Sequence, residues 1–197
     1  ADSRRMDTAR GGWSAERGEI AEWCRERQGI PRALLLVWLG AILVYLWRDP
    51  PQRGLFDWPN LFSGINLGIH ELGHVLFAPL GMFMGLLGGS LAQCLAPVAG
   101  MAGLRRQSDY FGIAVCGGWL STNLFGVATY MADAREQQLP LVSPFSGHPI
   151  HDWNYLLARL GWLDACEGLG LLTKLAATLV MVLSIGYGSW LVWRMFR

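Results

Sequence analysis

Charged side chains are scarce in this chain of 197 residues, and those present nearly cancel. They make up 16% of the sequence, and sixteen lysines and arginines against fifteen acidic residues give a formal net charge of +1. A nucleic-acid-binding protein needs a basic block that neutralises phosphates, and the chain has none. The composition therefore argues against nucleic acid as a partner.

Cysteine is also rare, and its positions indicate neither a disulfide framework nor a cysteine zinc site. None of the four cysteines stands in a CxxC spacing, and two fall within apolar runs. We interpret all of them as small buried side chains. They are Cys24, Cys94, Cys116 and Cys166.

In place of charge, the chain has long apolar runs. Hydrophobic residues make up 52% of it, which is too much for an ordinary soluble domain, and the chain is too short for more than one membrane domain. We predict an all-α integral membrane protein in which residues 30–197 form one transmembrane helical domain. Residues 1–29 are a polar arm, which can form a helix on the membrane surface or a solvated tail.

The apolar runs predict four transmembrane helices, over residues 30–47, 61–79, 110–131 and 169–193. A further apolar segment, residues 81–103, carries Gly88 and Gly89 in its middle. It can turn back at the double glycine as a re-entrant hairpin, or it can cross the membrane as a fifth span.

The placement of arginine favours the hairpin. If this segment is re-entrant, the arginine pair that follows it and the two arginines near the C-terminus share a side with the arginine-rich N-terminal arm. These four are Arg105, Arg106, Arg194 and Arg197. The positive-inside rule then makes that side cytoplasmic. The N-terminus is therefore expected on the cytoplasmic side. Fifteen of the sixteen basic residues are arginine, which indicates a GC-rich bacterial coding sequence, so we expect the membrane to be a bacterial inner membrane.

Only four histidines are present, and two of them stand four residues apart within the second apolar run. In the sequence His70-Glu71-Leu72-Gly73-His74 both histidines lie on one helix face, so their ring nitrogens can bind the same divalent metal ion. The glutamate after the first histidine can act as general base toward a water molecule. We therefore predict His70 and His74 as metal ligands and Glu71 as the catalytic residue.

The motif helix carries two further patterns. Ser63 and Asn66 continue the histidine face as a polar stripe, which belongs against a protein cavity and not against lipid. Gly64 and Gly68 form a GxxxG pair on the flank of Glu71, and we predict that a second helix packs closely against them.

In these residues the sequence resembles the membrane-embedded HExxH zinc metalloproteases of the site-2 protease kind. The resemblance implies that His70 and His74 bind Zn²⁺ and that Glu71 activates a water molecule. In that family an aspartate in a later Leu-Asp-Gly helix supplies the third ligand. The nearest match here is Asp164, which precedes an alanine instead of a glycine and lies before the last apolar run, so the resemblance implies a degenerate form of the family pattern at this position.

Zinc needs a third protein ligand that the motif helix cannot provide, and the other two histidines stand together in the long loop over residues 132–168. We predict His151 as this ligand, because it precedes a helical run and can be displayed at the start of a helix. Asp152 is the alternative, as a carboxylate ligand or as the partner that fixes a histidine tautomer. His148 and Asp164 are further candidates. The alternative is that His148 and His151 are ordinary loop residues and that Asp152 is only a helix cap.

Two functions fit these patterns. The first is a membrane-embedded zinc metallohydrolase, a peptidase that acts on a membrane segment or a short peptide. The second is a non-proteolytic subunit of a larger bacterial membrane complex, for example an energy-transducing or photosynthetic one, in which the metal site is structural or vestigial. A hydrolase must keep an open metal position, whereas an assembly subunit can have the site closed by a fourth side chain.

Overall fold

The computed structural model describes residues 18–48, 59–140 and 150–197, and these are helical with short turns between the helices. Residues 18–25 form a helix before the main bundle. Single 3₁₀ turns precede the third and the sixth helix of the bundle, at Ala78–Leu80 and Leu163–Ala165. The bundle consists of α1 (Gly29–Arg48), α2 (Ser63–Phe77), α3 (Met82–Arg106), α4 (Tyr110–Ala132), α5 (Asp152–Leu160) and α6 (Cys166–Met195).

Four of these helices are long and apolar enough to cross a membrane. They are α1, α3, α4 and the run Leu163–Met195 that includes α6. The shortest has 20 residues, and about 20 residues at 1.5 Å each span the roughly 30 Å hydrocarbon layer. This confirms the prediction of an all-α membrane protein with four membrane-crossing helices.

The centre of the bundle lies where α1, α4 and α6 meet. The Ser121 hydroxyl of α4 donates to the Ala177 carbonyl of α6 over 2.7 Å, and Trp47 of α1 donates to Thr178 of α6 over 3.0 Å. Fully buried apolar side chains fill the space between the three helices. Among them are Leu39, Ile42, Leu46, Phe125 and Met181.

Contacts between helix ends fix their directions. The beginning of α1 meets the end of α6, because a Cβ added at Gly29 would lie 2.7 Å from the Phe196 ring. The end of α3 meets the beginning of α4, where Gly112 packs on Leu104. Both described ends of the chain and the α3–α4 turn therefore lie at one end of the bundle. The arginines of these segments share a side, as predicted, and that this side is cytoplasmic stays a prediction.

One detail of the predicted topology differs, because residues 81–103 do not form a re-entrant hairpin. They belong to α3, which runs unbroken through Gly88, Gly89 and Pro97. The turn comes earlier, at Gly81, whose φ of +95° suits glycine. The double glycine serves close packing against α2 instead of chain reversal, and sequence alone does not separate these two uses of glycine.

The motif helix α2 is the element that does not cross the bundle. Its 15 residues extend about 22 Å, which is less than the roughly 30 Å hydrocarbon thickness. It begins about halfway along the bundle, because Trp38, in the middle of α1, donates its indole N–H to the Pro59 carbonyl over 3.0 Å and packs on Phe62 at 5.4 Å between ring centroids. One of the four membrane-crossing helices is therefore α3, in place of the predicted run 61–79.

This topology predicts matched accessibility for the two ends of the chain. In a cysteine-free background, Arg105→Cys and Arg197→Cys should react with a membrane-impermeant maleimide from the same side of the membrane. Arg159→Cys, at the far end of α5, should react from the opposite side. Labelling of positions 105 and 197 from different sides would contradict the helix directions described above.

Candidate metal centre

Two glycines bring the motif helix against α3. A Cβ added at Gly88 would lie 2.7 Å from the Gly73 carbonyl oxygen, and one added at Gly73 would collide with the Gly88 carbonyl. The two backbones are therefore in direct contact, and α2 and α3 form a tight antiparallel hairpin. The predicted approach at Gly64 and Gly68 is not where this happens, since a Cβ at Gly68 would meet nothing within 4 Å.

Gly89 supplies the surface on which both motif histidines rest. A Cβ at this position would lie 2.8 Å from Cε1 and Nε2 of His70 and 2.8 Å from Cε1 of His74. Any larger residue would displace the two imidazoles. The rings lie 4.6 Å apart between centroids with an interplanar angle of 86°, so they converge without stacking.

Hydrogen bonds to α3 set the tautomer of each histidine. Nδ1 of His74 lies 2.9 Å from the Gly85 carbonyl oxygen, and a carbonyl only accepts, so this nitrogen carries the proton. Nδ1 of His70 lies 3.2 Å from Oε1 of Gln93 and donates in the same way. In the neutral rings, both Nε2 atoms are then left with a lone pair, as in metal-binding histidines.

The side chain that faces these lone pairs is Asp152. Its Oδ2 lies 3.3 Å from Nε2 of His70 and 3.5 Å from Nε2 of His74. Three electron-pair donors thus converge, with the His70 and Asp152 side chains almost fully buried. One proton on an imidazole could satisfy a single pair of them, whereas a divalent cation satisfies all three together.

The spacing of the three atoms fits a zinc ion. Zinc binds histidine nitrogen and carboxylate oxygen at roughly 2.0–2.2 Å in tetrahedral geometry, which places neighbouring ligand atoms about 3.4 Å apart. The two nitrogen–oxygen separations of 3.3 and 3.5 Å bracket this value.

Asp152 is held in place as the first residue of α5. Its backbone N–H donates to the Tyr130 hydroxyl over 3.0 Å, and Trp153 donates its indole N–H to Ser90 over 3.2 Å. Asn154 donates to the Ala134 carbonyl over 2.8 Å. These contacts fasten the start of α5 to both α3 and α4, so the aspartate is fixed by its helix as well as by its own partners.

His151, the predicted third ligand, has a different role in the structure. Its Nδ1 accepts the Asn154 backbone N–H over 3.2 Å, so its Nε2 carries the proton and donates to the Asp133 carboxylate over 3.2 Å. Neither ring nitrogen keeps a lone pair for a metal. His151 caps α5 and ties it to the end of α4, and the capping role considered for Asp152 belongs to its neighbour.

The structure does not bring the remaining ligand candidates to the motif. Asp164 pairs with Arg135, and its side chain is 99% exposed, so it does not form part of a buried centre. His148 lies outside the described residues. Of the candidates that the structure describes, Asp152 is therefore the one that joins the two motif histidines.

Glu71 stands beside the three converging atoms. One of its carboxylate oxygens lies within 4.8 Å of ligand nitrogens of both His70 and His74, and the residue is half-buried. At this distance the carboxylate can exchange a proton with a water molecule that lies between it and the histidines. The position suits a general base.

Sequence reasoning missed several supporting residues or gave them other roles. Gln93 stands inside an apolar run and fixes His70 by accepting its Nδ1 proton. Asn66 holds α2 against α4, because its side-chain oxygen accepts the Trp119 indole N–H over 2.6 Å and its amide donates to Thr122. Asn123 donates only to its own helix, at the Trp119 carbonyl. A glutamine or asparagine inside an apolar run indicates that a polar partner is present, but the sequence does not show which residue it is.

The Gly89 contact yields a direct test of the centre. Gly89→Ala should lower zinc affinity by about tenfold or more, since the new methyl group would push both imidazoles away from the converging geometry. Gly103→Ala in the same helix is the matched control, because a Cβ there meets nothing within 4 Å. Chelator competition measures both affinities, and equal values for the two variants would contradict the role of Gly89 in positioning the two imidazoles.

Comparison of the chain with models of known protein families, with curated proteins and with solved structures finds no match in any of the three. The function is therefore inferred from the geometry of the centre itself.

Proposed function

We propose that this protein is a membrane-embedded zinc metallohydrolase whose metal is held by His70, His74 and Asp152. The observation that carries the proposal is the convergence of two imidazole lone pairs and one carboxylate oxygen at 3.3 and 3.5 Å. One imidazole proton would satisfy a single pair of these donors, whereas a divalent cation satisfies all three, and partners on the far side of each ring hold the imidazoles in place.

The ligand chemistry favours zinc and a catalytic role. Two neutral imidazoles and one carboxylate form a ligand set found in zinc hydrolases, and three protein ligands leave one tetrahedral position open. A magnesium or calcium site would use oxygen ligands instead of imidazoles. Glu71 lies beside the centre without being needed as a ligand.

Zinc, when bound, supplies a Lewis acid that polarises a carbonyl and makes water a stronger acid. Glu71 takes a proton from the attacking water on its carboxylate and passes it to the leaving amine, so that one water is consumed and one amide bond is broken. Gln93 and the Gly85 carbonyl hold the protons on Nδ1 of the two histidines throughout. The roles of Glu71 and the two histidines match those implied by the resemblance to membrane-embedded metalloproteases.

The surroundings of the centre support an apolar substrate. Tyr130 and the centre lie near the end of α4, while the outer face of α2 presents apolar side chains such as Leu72, Val75 and Leu76. A membrane segment or a short apolar peptide fits this setting better than a folded soluble protein. The rival proposal, a non-proteolytic membrane-complex subunit, requires a fourth protein ligand or a centre without metal.

Metal content tests the ligand set. Purified wild-type protein should hold about one zinc per chain, and His70→Ala, His74→Ala and Asp152→Ala should each weaken binding by more than about 100-fold, because two donors do not hold zinc. His151→Gln is the control that separates neighbouring candidates, since it should retain the metal. Zinc loss in His151→Gln together with retention in Asp152→Ala would reverse our assignment of the third ligand.

Glu71→Gln separates catalysis from binding. The variant should keep its zinc, because the glutamate is a base and not a ligand, while hydrolysis of a quenched-fluorescence library of apolar peptides falls by about 10²–10⁴-fold. Full zinc occupancy with no hydrolysis by wild type would favour the assembly-subunit proposal. Unchanged hydrolysis in Glu71→Gln would remove the glutamate from the mechanism.

A further inference from the structure

A group of arginines and aromatic rings lies at the opposite end of the bundle from the metal centre. We define the basic cluster as Arg27, Arg32, Arg105 and Arg194. Its members come from four separate parts of the chain: the turn after the 18–25 helix, the first turns of α1, the end of α3 and the end of α6. Their convergence is therefore a product of the fold and not of a local basic run.

Aromatic faces hold all four of these guanidinium groups, with Arg194 over the Trp190 ring at 5.6 Å from its centroid. Arg32 also donates one N–H to the Gln28 carbonyl over 2.8 Å. Arg27 and Arg32 lie over the Trp23 ring at 5.4 and 5.7 Å from its centroid, and Arg105 lies over Tyr110 at 5.5 Å. The two rings meet edge to face at 5.6 Å. Stacking on a ring occupies the face of a guanidinium and leaves the N–H groups of its edge to bind other partners.

Arg194 joins the cluster through Cys24. The Cys24 thiol donates to the Leu191 carbonyl one turn before this arginine. Burial raises the pKa of the thiol, and the charges of Arg194 and Arg32 act on it in the opposite direction. The hydrogen bond joins the helix over residues 18–25 to the last turns of α6, which carry Arg194, and Arg32 and Arg194 are both half-buried.

Two of the nearby carboxylates accept hydrogen bonds from neutral donors. Glu19 accepts the Tyr110 hydroxyl over 3.3 Å, and Asp109 accepts the Gly112 backbone N–H at the start of α4. Within the part of the chain that the structure describes, no carboxylate forms an ion pair with Arg27, Arg32 or Arg194. Converging like charges repel one another unless an anion lies between them.

The position of the cluster, at one end of the membrane-crossing helices, indicates which anion it binds. Four membrane-crossing helices begin or end here, which places the guanidinium groups where lipid phosphates lie. Ile30 and Leu34 of α1 are exposed directly beside the cluster and suit an acyl chain. We propose that the basic cluster binds the phosphate of an anionic phospholipid, a site that is independent of the metal centre.

Native mass spectrometry of the full chain with phosphatidylglycerol and phosphatidylcholine tests this proposal. Wild type should retain phosphatidylglycerol in preference, and Arg32→Gln/Arg194→Gln should reduce that preference roughly 25-fold, about fivefold for each arginine. Arg135→Gln/Arg159→Gln, at the opposite end of the bundle, is the matched control and should behave as wild type. Equal loss in both double variants, or no preference in wild type, would overturn the proposal.

Two further measurements keep the outcome clear. Arg32→Lys/Arg194→Lys retains the charge and should keep most of the preference. If the glutamine variant loses its fold, its unfolding temperature falls, whereas that of the lysine variant does not. Inorganic phosphate is added as a competitor. If phosphate alone displaces phosphatidylglycerol at micromolar concentration, the site recognises a free anion and the lipid assignment fails.

Discussion

The candidate metal centre depends on the convergence of three electron-pair donors whose side chains are largely buried. Two of them belong to the motif helix, and the third belongs to Asp152, some eighty positions later in the chain. A proton on one imidazole would bond only one pair of these donors, so such a bond does not by itself align all three. The fold instead fixes each of them from behind, through the Gly85 carbonyl, Gln93 and the hydrogen bonds of α5. We propose that a zinc ion bonds all three donors together.

Glycine makes the prepared geometry attainable. The contact between Gly73 and Gly88 sets the separation of α2 and α3, and Gly89 leaves room for both imidazoles. Close backbone approach in a membrane gains van der Waals contact and does not need a hydrophobic driving force. The motif helix can therefore be short, with its entry at the level of Trp38, while the long helices around it provide the membrane anchorage.

Much of this arrangement could be predicted from the sequence, and the failures have physical causes. The four-residue spacing of His70 and His74 determines one helix face, so their convergence follows from helical geometry. The choice between His151 and Asp152 does not, because adjacent residues at a helix start point in directions about 100° apart, and the register of the loop decides which one caps the helix. The double glycine of α3 was interpreted as a turn because only the partner helix distinguishes a turn from a close approach.

X-ray absorption spectroscopy of the zinc-loaded wild-type protein tests the central claim most directly. The account predicts a first shell of two imidazole nitrogens and light oxygen ligands at about 2.0–2.2 Å, with no sulfur and an open or water-filled fourth position. A third imidazole in that shell would contradict the assignment of Asp152. A zinc ion without any imidazole scattering would contradict the metal centre altogether.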